Sequence, residues 1–349
     1  MSNNDILTIA IPTYNRLETL ERVLVQLKIQ SDQDFEIIVS DDASPNSKVV
    51  ISMLEKYKVL MPNLRINKNG KNLGFSGNVL KLFELATSRY IWFICDDDDV
   101  LPDAVKNVKL TLQKYEPVVA VFNHTWVNSY GVKCSAGPFK DRCHKNLSKI
   151  DDYQPIMRTT FLSTLVIEKR CSIDTIYKTN YKDNVFVQIT IALLMLSQEF
   201  KFCEIAVPVV HRNVGFVYGD FYKFILVDEF KSIFAIEHKL DNKKFVKWKI
   251  KQLPTVFLLY LSQKLGLFNY KSIPTPETIN YIKKHYGNYR YLICLFRYIK
   301  AFTPTICLKL IYFIQLILIH GLTNGVKVYN KNINRAYKDK RNTGFTKYR

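Results

Sequence analysis

Tyr90-Ile91-Trp92-Phe93-Ile94-Cys95 runs without a break into Asp96-Asp97-Asp98-Asp99. A short run rich in aromatic and β-branched side chains reads as a buried strand. Adjacent carboxylates repel one another unless a cation or a solvated loop relieves them. The strand must therefore end at an edge of the core open to water or to an ion. Oxygen ligands of this kind suit a hard divalent cation.

Strand and helix signals alternate around that junction. Ile6–Ile11 is a short apolar run, and Leu17–Gln30 carries a helical stripe at Leu17, Leu20, Val23, Leu24 and Leu27. Asn15-Arg16-Leu17-Glu18 reads as a capping box, so this helix is expected to begin near Asn15. Strands follow at Phe35–Ser40, Leu64–Ile66, Tyr90–Cys95 and Val118–Phe122, with helices over Ser76–Thr87 and from about Asp103 to Tyr115. The pattern predicts an α/β fold with a mostly parallel central sheet flanked by helices. Ligands of such sheets bind beyond the carboxyl ends of the strands. Asp41-Asp42 follows one strand and Asp96–Asp99 another, so both clusters are expected on one edge.

That edge has further parts suited to a nucleotide. Pro12-Thr13-Tyr14-Asn15-Arg16 brings backbone amides, a hydroxyl and an aromatic ring. Asn72-Leu73-Gly74-Phe75-Ser76-Gly77-Asn78 places glycines ahead of a helix N-terminus, where free N–H groups and the dipole favour phosphate. An ordinary helix-start turn would use the same glycines. Neither G-x-x-x-x-G-K-[ST] nor G-x-G-x-x-G is present, which argues against P-loop and dinucleotide-binding readings.

The segments "TIAIPTYNR", "FEIIVSDDAS", "NLGFSGN" and "ICDDDDVLPD", in this order, resemble the inverting family 2 glycosyltransferases of GT-A fold, over about residues 5–215. The resemblance implies transfer of a sugar from a nucleoside-diphosphate donor to an acceptor hydroxyl. It implies donor-nucleotide contacts at Pro12, Tyr14, Asn15, Asp41, Asp42, Asn72, Gly74, Asp96 and Asp97, with Asp42 the partner of the base. Aligned on Pro102, the family's metal motif becomes Asp96-x-Asp98, so Asp98 and Asp96 are expected to hold Mg²⁺ or Mn²⁺. The run also contains the register Asp97-x-Asp99. The family has a small residue at Asp97, whose carboxylate either binds a second cation or points to water. Asp183 matches the family's catalytic base, although Lys182 replaces the usual Glu before it. His211 and Arg212, after an apolar strand, match a basic pair near the diphosphate. His124 is a candidate for the acceptor pocket, and residues 123–160 for the variable acceptor region.

The charge of +19 is uneven. Residues 220–349 hold 24 Lys+Arg against 7 Asp+Glu, whereas residues 1–219 hold 26 against 24. Apolar runs at Val256–Leu261 and Ile306–Ile319 accompany the basic residues. The second run is too short and too interrupted to span a bilayer, and suits a helix lying in an anionic membrane interface. A soluble helical appendage would show the same pattern. A nucleic-acid partner is not expected, since no motif accompanies the charge. The expected domains are 1–219, the glycosyltransferase domain; 220–328, a basic, aromatic-rich helical region; and 329–349, a flexible basic tail. Seven cysteines without a C-x-x-C pair read as small core residues of a reduced, cytoplasmic protein, and no secretory segment opens the chain.

Together these expectations describe a glycosyltransferase on the inner face of the cell membrane. It would use a nucleoside-diphosphate sugar, of the UDP class, to extend a saccharide or lipid-linked saccharide in O-antigen- or capsule-type polysaccharide synthesis. A nucleotidyltransferase and a non-catalytic membrane-bound donor-binding protein are the alternatives. The first lacks its glycine-rich loop after the first strand, and the acids at 42, 96, 98 and 183 speak against the second.

Overall fold

The computed structural model describes residues 6–127, 133–135, 137–138, 140–145, 158–170, 186–213 and 313–314. Asp183 with Lys182, the pair Asp151-Asp152, and the portion beyond residue 220 apart from Phe313 and Ile314 lie outside these residues. The chain divides into two compact units, Met1–Gly215 with Lys231–Leu240, and Phe216–Phe230 with Asp241–Arg349. Apart from Phe313 and Ile314, the described residues belong to the first unit.

Strand β1 (Leu7–Thr13) is buried along its whole length. It lies parallel to β2 (Glu36–Asp41) on one side and β4 (Tyr90–Phe93) on the other, and β3 (Leu64–Lys68) continues the parallel array beyond β2. Near-continuous apolar sequence is what a strand covered on both faces requires. Helices α1 (Leu17–Lys28), α2 (Ser47–Leu60) and α4 (Ala104–Tyr115) share one core with Leu7, Ile9, Ile11, Ile37, Val39 and Trp92. Helix α3 (Gly74–Leu85) packs on β1 and β2, and against α5 (Val187–Gln198). The stripe expected on α1 is the buried one, Leu20, Val23, Leu24 and Leu27.

The sheet continues through β5 (Asp99–Val100), β6 (Val119–Val127), β9 (Leu165–Glu168) and β10 (Phe202–Arg212) in the order β3-β2-β1-β4-β9-β6-β10-β5. The short strands β7 (Lys133–Ser135) and β8 (Arg142–His144) pair with β6 and β10. β9 runs antiparallel to both β4 and β6, so the parallel half meets a mixed half there. A four-residue strand with no alternation gives no sequence signal for its direction.

Two local expectations are corrected. The capping box does not form: α1 begins at Leu17 with no side-chain cap, because Asn15 adopts a φ of 56° and its N–H donates to the Ser44 hydroxyl at 2.7 Å. Cys143 and Cys203 are not separate core thiols but a disulfide joining β8 to β10. The two lie opposite each other across the β8–β10 pair, a juxtaposition made by strand pairing and invisible at a separation of 60 residues.

Candidate active site

The two acidic clusters meet at one sheet edge. Thr13 is register partner of Asp41, the Asp42 N–H donates to the Thr13 carbonyl at 2.9 Å, and the Ile94 N–H donates to the Ala10 carbonyl at 3.0 Å. The Thr13 hydroxyl then bridges to Asp96 Oδ2 at 2.6 Å, tying the end of β1 to the run that follows β4.

Within the first pair the carboxylates do different work. Asp41 is fully buried, and its oxygens accept from the hydroxyls of Ser44 and Ser47, the latter at 2.5 Å. It shapes the turn into α2. Asp42 presents Oδ1 to Asn69 Nδ2 at 2.8 Å and to the Leu73 N–H at 2.9 Å. Leu73 precedes α3, so the helix entry and the acid are locked together. Gly74 opens α3 at a φ of +74°, with its N–H on Asn72 Oδ1 at 2.8 Å. That left-handed geometry is why a glycine stands there. Pro12 is buried in β1, whereas Tyr14, 45% exposed, and Asn15 stand at the open edge.

The four aspartates have four environments. Asp96 is buried and receives Thr13 and Arg16 Nη1, the latter at 2.9 Å. Burial raises its pKa, with Thr13 and Arg16 opposing the rise. Asp97 also takes Arg16 Nη1, at 2.6 Å, and is half-exposed. Asp98 is 3% exposed; Ser163 donates to its Oδ2 at 2.5 Å and the Asn213 N–H to its Oδ1 at 3.3 Å. Burial, with the Asp97 charge added, pushes Asp98 up to about 7. Asp99 turns away, held by Arg22 Nε at 2.6 Å and Gln26 Nε2 at 3.1 Å. Burial alone would raise Asp99, but hydrogen bonds from Asn213, Gln26 and Arg22 hold it low.

The ligating atoms that converge are those of Cys95, Asp97 and Asp98, all within 4.8 Å of one another. Asp96, expected beside Asp98 as a ligand, is not in that group; its carboxylate serves Thr13 and Arg16 instead. Burial pushes the Cys95 thiol well above its ordinary range. Hard divalent ions prefer oxygen to sulfur, so the two carboxylates are the donors that suit such an ion. They fit a hard divalent ion, whose charge would relieve the cost of ionising Asp98.

β10 ends in His211 and Arg212, with His211 the register partner of Asp99. His211 Nδ1 lies 2.9 Å from the Thr125 hydroxyl, and the Arg212 guanidinium stands over the Phe161 ring, 5.4 Å from its centre. His124 of β6 contacts the same ring, centre to centre at 4.5 Å. Sequence reading missed Ser163, Asn213, Asn69 and the double pairing of Arg16. Arg16 had a signal in its place beside Asn15; Ser163 and Asn213 had none, since only the fold brings them to Asp98.

Residues 8–159 match the model of glycosyl transferase family 2. A GalNAc(5)-diNAcBac-PP-undecaprenol beta-1,3-glucosyltransferase of Campylobacter jejuni is 33% identical over 103 residues, 29% of this chain and 33% of that protein. The abequosyltransferase RfbV of Salmonella typhimurium is 31% identical over 102 residues, 29% of this chain and 30% of that protein. The chain thus spans about a third of the length of these curated relatives. The crystal structure of S. aureus TarS 1–349 in complex with UDP-GlcNAc superposes with a TM-score of 0.55 at 17% identity, covering 80% of each chain. Another crystal structure of S. aureus TarS 1–349 superposes with a TM-score of 0.56 at the same 17% identity, over 91% of this chain and 92% of the other. At that identity the likeness is one of fold.

Proposed function

We propose, from the premise that residues 8–159 are a family 2 glycosyltransferase domain, that this chain transfers a sugar from a UDP-sugar to an acceptor hydroxyl during synthesis of a cell-surface polysaccharide. One observation carries the reading: Asp42 and the Asp97–Asp98 pair stand on the same sheet edge, bridged by Thr13 and Asp96. A base-recognising acid and a cation-holding pair would thereby stand along one sheet edge, as a nucleoside diphosphate requires.

Each residue then has a task. Asp42, anchored through Oδ1, offers its remaining acceptor capacity to an N–H of the base, with Tyr14 beside it. Asp98 and Asp97 would hold Mg²⁺ or Mn²⁺. When bound, that ion neutralises the charge that grows on the departing diphosphate. Asp96 keeps Thr13 and Arg16 in place rather than binding metal directly. Arg212 supplies positive charge to the diphosphate, and His211 stands beside it in β10 as a further polar contact. Asp183 is assigned the base that takes the acceptor proton.

The acceptor class is inferred from relatives whose names include an undecaprenol-linked saccharide transferase, and from the basic composition of residues 220–349. We place the enzyme at the inner face of the membrane on that ground. Among the described residues, no helix is long and apolar enough to cross a bilayer.

A thermal-shift screen of nucleotide sugars with Mn²⁺ tests the reading, because a ligand of the folded state raises the melting temperature. UDP-sugars should stabilise the protein, and Asp98→Ala should abolish both the Mn²⁺-dependent part of that shift and sugar transfer. Full transfer by Asp98→Ala would remove the metal assignment, and no shift with any nucleotide sugar would remove the activity itself.

A further inference from the structure

Beneath Asp42 lies a network of side-chain amides, two of them, Asn69 and Asn78, buried. Asn78 donates to the Ser40 carbonyl at 2.9 Å and accepts the Ser40 hydroxyl at 2.6 Å, which fastens α3 to β2. Asn67 Nδ2 donates to the Ser40 hydroxyl and to Asn69 Oδ1, each at 2.9 Å. Asn69 is 6% exposed, and its own amide N–H₂ donates to Asn78 Oδ1 at 3.0 Å and to Asp42 Oδ1 at 2.8 Å. Its backbone N–H is fixed on the Asp41 carbonyl at 2.9 Å. Ser40 and Asn78 already satisfy each other. Asn69 is therefore the side chain that extends the network to the acid.

We infer that Asn69 is a positioning residue for the donor base, acting through Asp42, and that it sets selectivity for a base with a ring N–H. The inference rests on the reading of Asp42 as the base contact. Two N–H donors on one oxygen fix the carboxylate torsion. An ionised carboxylate only accepts hydrogen bonds. It pairs with the N3–H of uracil and repels cytosine, whose N3 is itself an acceptor. Without Asn69, the Leu73 N–H alone would hold Oδ1, the carboxylate would be free to rotate, and discrimination would fall. The same amide chain explains why three asparagines and a serine line a sheet edge where apolar side chains would otherwise pack: each has a defined partner.

The test is a double-mutant cycle on the full chain, titrating UDP and CDP by calorimetry in Mn²⁺ and measuring KM and kcat for the donor. Asn69→Ala should weaken UDP binding about tenfold, leave CDP binding unchanged, and raise KM without lowering kcat. In an Asp42→Ala background the same substitution should cost nothing further. Asn69→Leu keeps the size and adds no charge, but removes the N–H given to Asp42. It should reproduce the loss, and serves if the alanine variant does not fold. An unchanged UDP-to-CDP ratio in both Asn69 variants, or a penalty additive with Asp42→Ala, overturns the role of Asn69 while the base reading stands. Wild-type UDP affinity in Asp42→Ala alone overturns the base reading, and the inference falls with it.

Discussion

His124 sits against the Phe161 ring, and its environment resists protonation. Burial, then the charges of Arg212, Arg158 and His211, press its pKa down to about 4. An unfolded histidine titrates near 6.5. The folded state thus binds the proton less readily than the unfolded state. The stability this gives is present above about 6.5 and is lost as pH falls toward about 4. We expect the wild type to lose on the order of 1–2 kcal/mol from this group between those limits, after allowing for its partial exposure. His124→Gln should remove that component, seen as a smaller drop in melting temperature between pH 7 and pH 4.5. An identical drop in both proteins would show that His124 is free to charge in the fold. At this scale the sequence was readable where side chains are neighbours along the chain. The aspartate run marked a cluster of carboxylates at a strand end, but it could not say which of them converge. Their separate environments depend on Thr13 at the end of β1, Arg16 at the start of α1 and Ser163 before β9.

Helix α3 shows how an element carries the site. Its entry is fixed by Gly74 at positive φ, by the Leu73 N–H on Asp42, and by a close approach at Gly77. A Cβ on Gly77 would lie 2.7 Å from the Leu73 Cβ, an atom fixed to the backbone and unable to swing aside. Gly77→Ala should push Leu73 away from Asp42. We expect an increase in donor KM of about fivefold to tenfold with kcat nearly kept, and a stability loss of about 1 kcal/mol. An unchanged KM would mean that the Leu73 N–H does not help hold the acid. The glycines of this loop were legible as a helix start, and their order along the chain matched the family. Their separate reasons, a backbone angle at one and a steric contact at the other, required coordinates. The parallel strands were equally legible, since apolar runs between helical stripes leave few choices. β9 was not, because four buried residues carry no mark of direction.

At the scale of the whole molecule, charge separates the front of the chain from the rear. Residues 1–219 are close to neutral, whereas residues 220–349 carry 24 Lys+Arg against 7 Asp+Glu, interleaved with Tyr, Phe, Leu and Ile. An anionic leaflet attracts such a segment by about 1 kcal/mol for each basic residue brought near its surface. A handful of contacts would therefore suffice to hold the chain at such a surface, where the proposed acceptor would reside. The full chain should sediment with vesicles containing phosphatidylglycerol and stay in solution with phosphatidylcholine vesicles. Raising salt shortens the screening length from about 10 Å at 0.1 M to about 3 Å at 1 M, so a purely electrostatic attachment should be released. Retention at high salt would assign the attachment to apolar insertion by runs such as Ile306–Ile319. Equal partition between the two vesicle types at low salt would detach the basic charge from the membrane, and the acceptor would then have to be sought among soluble saccharides.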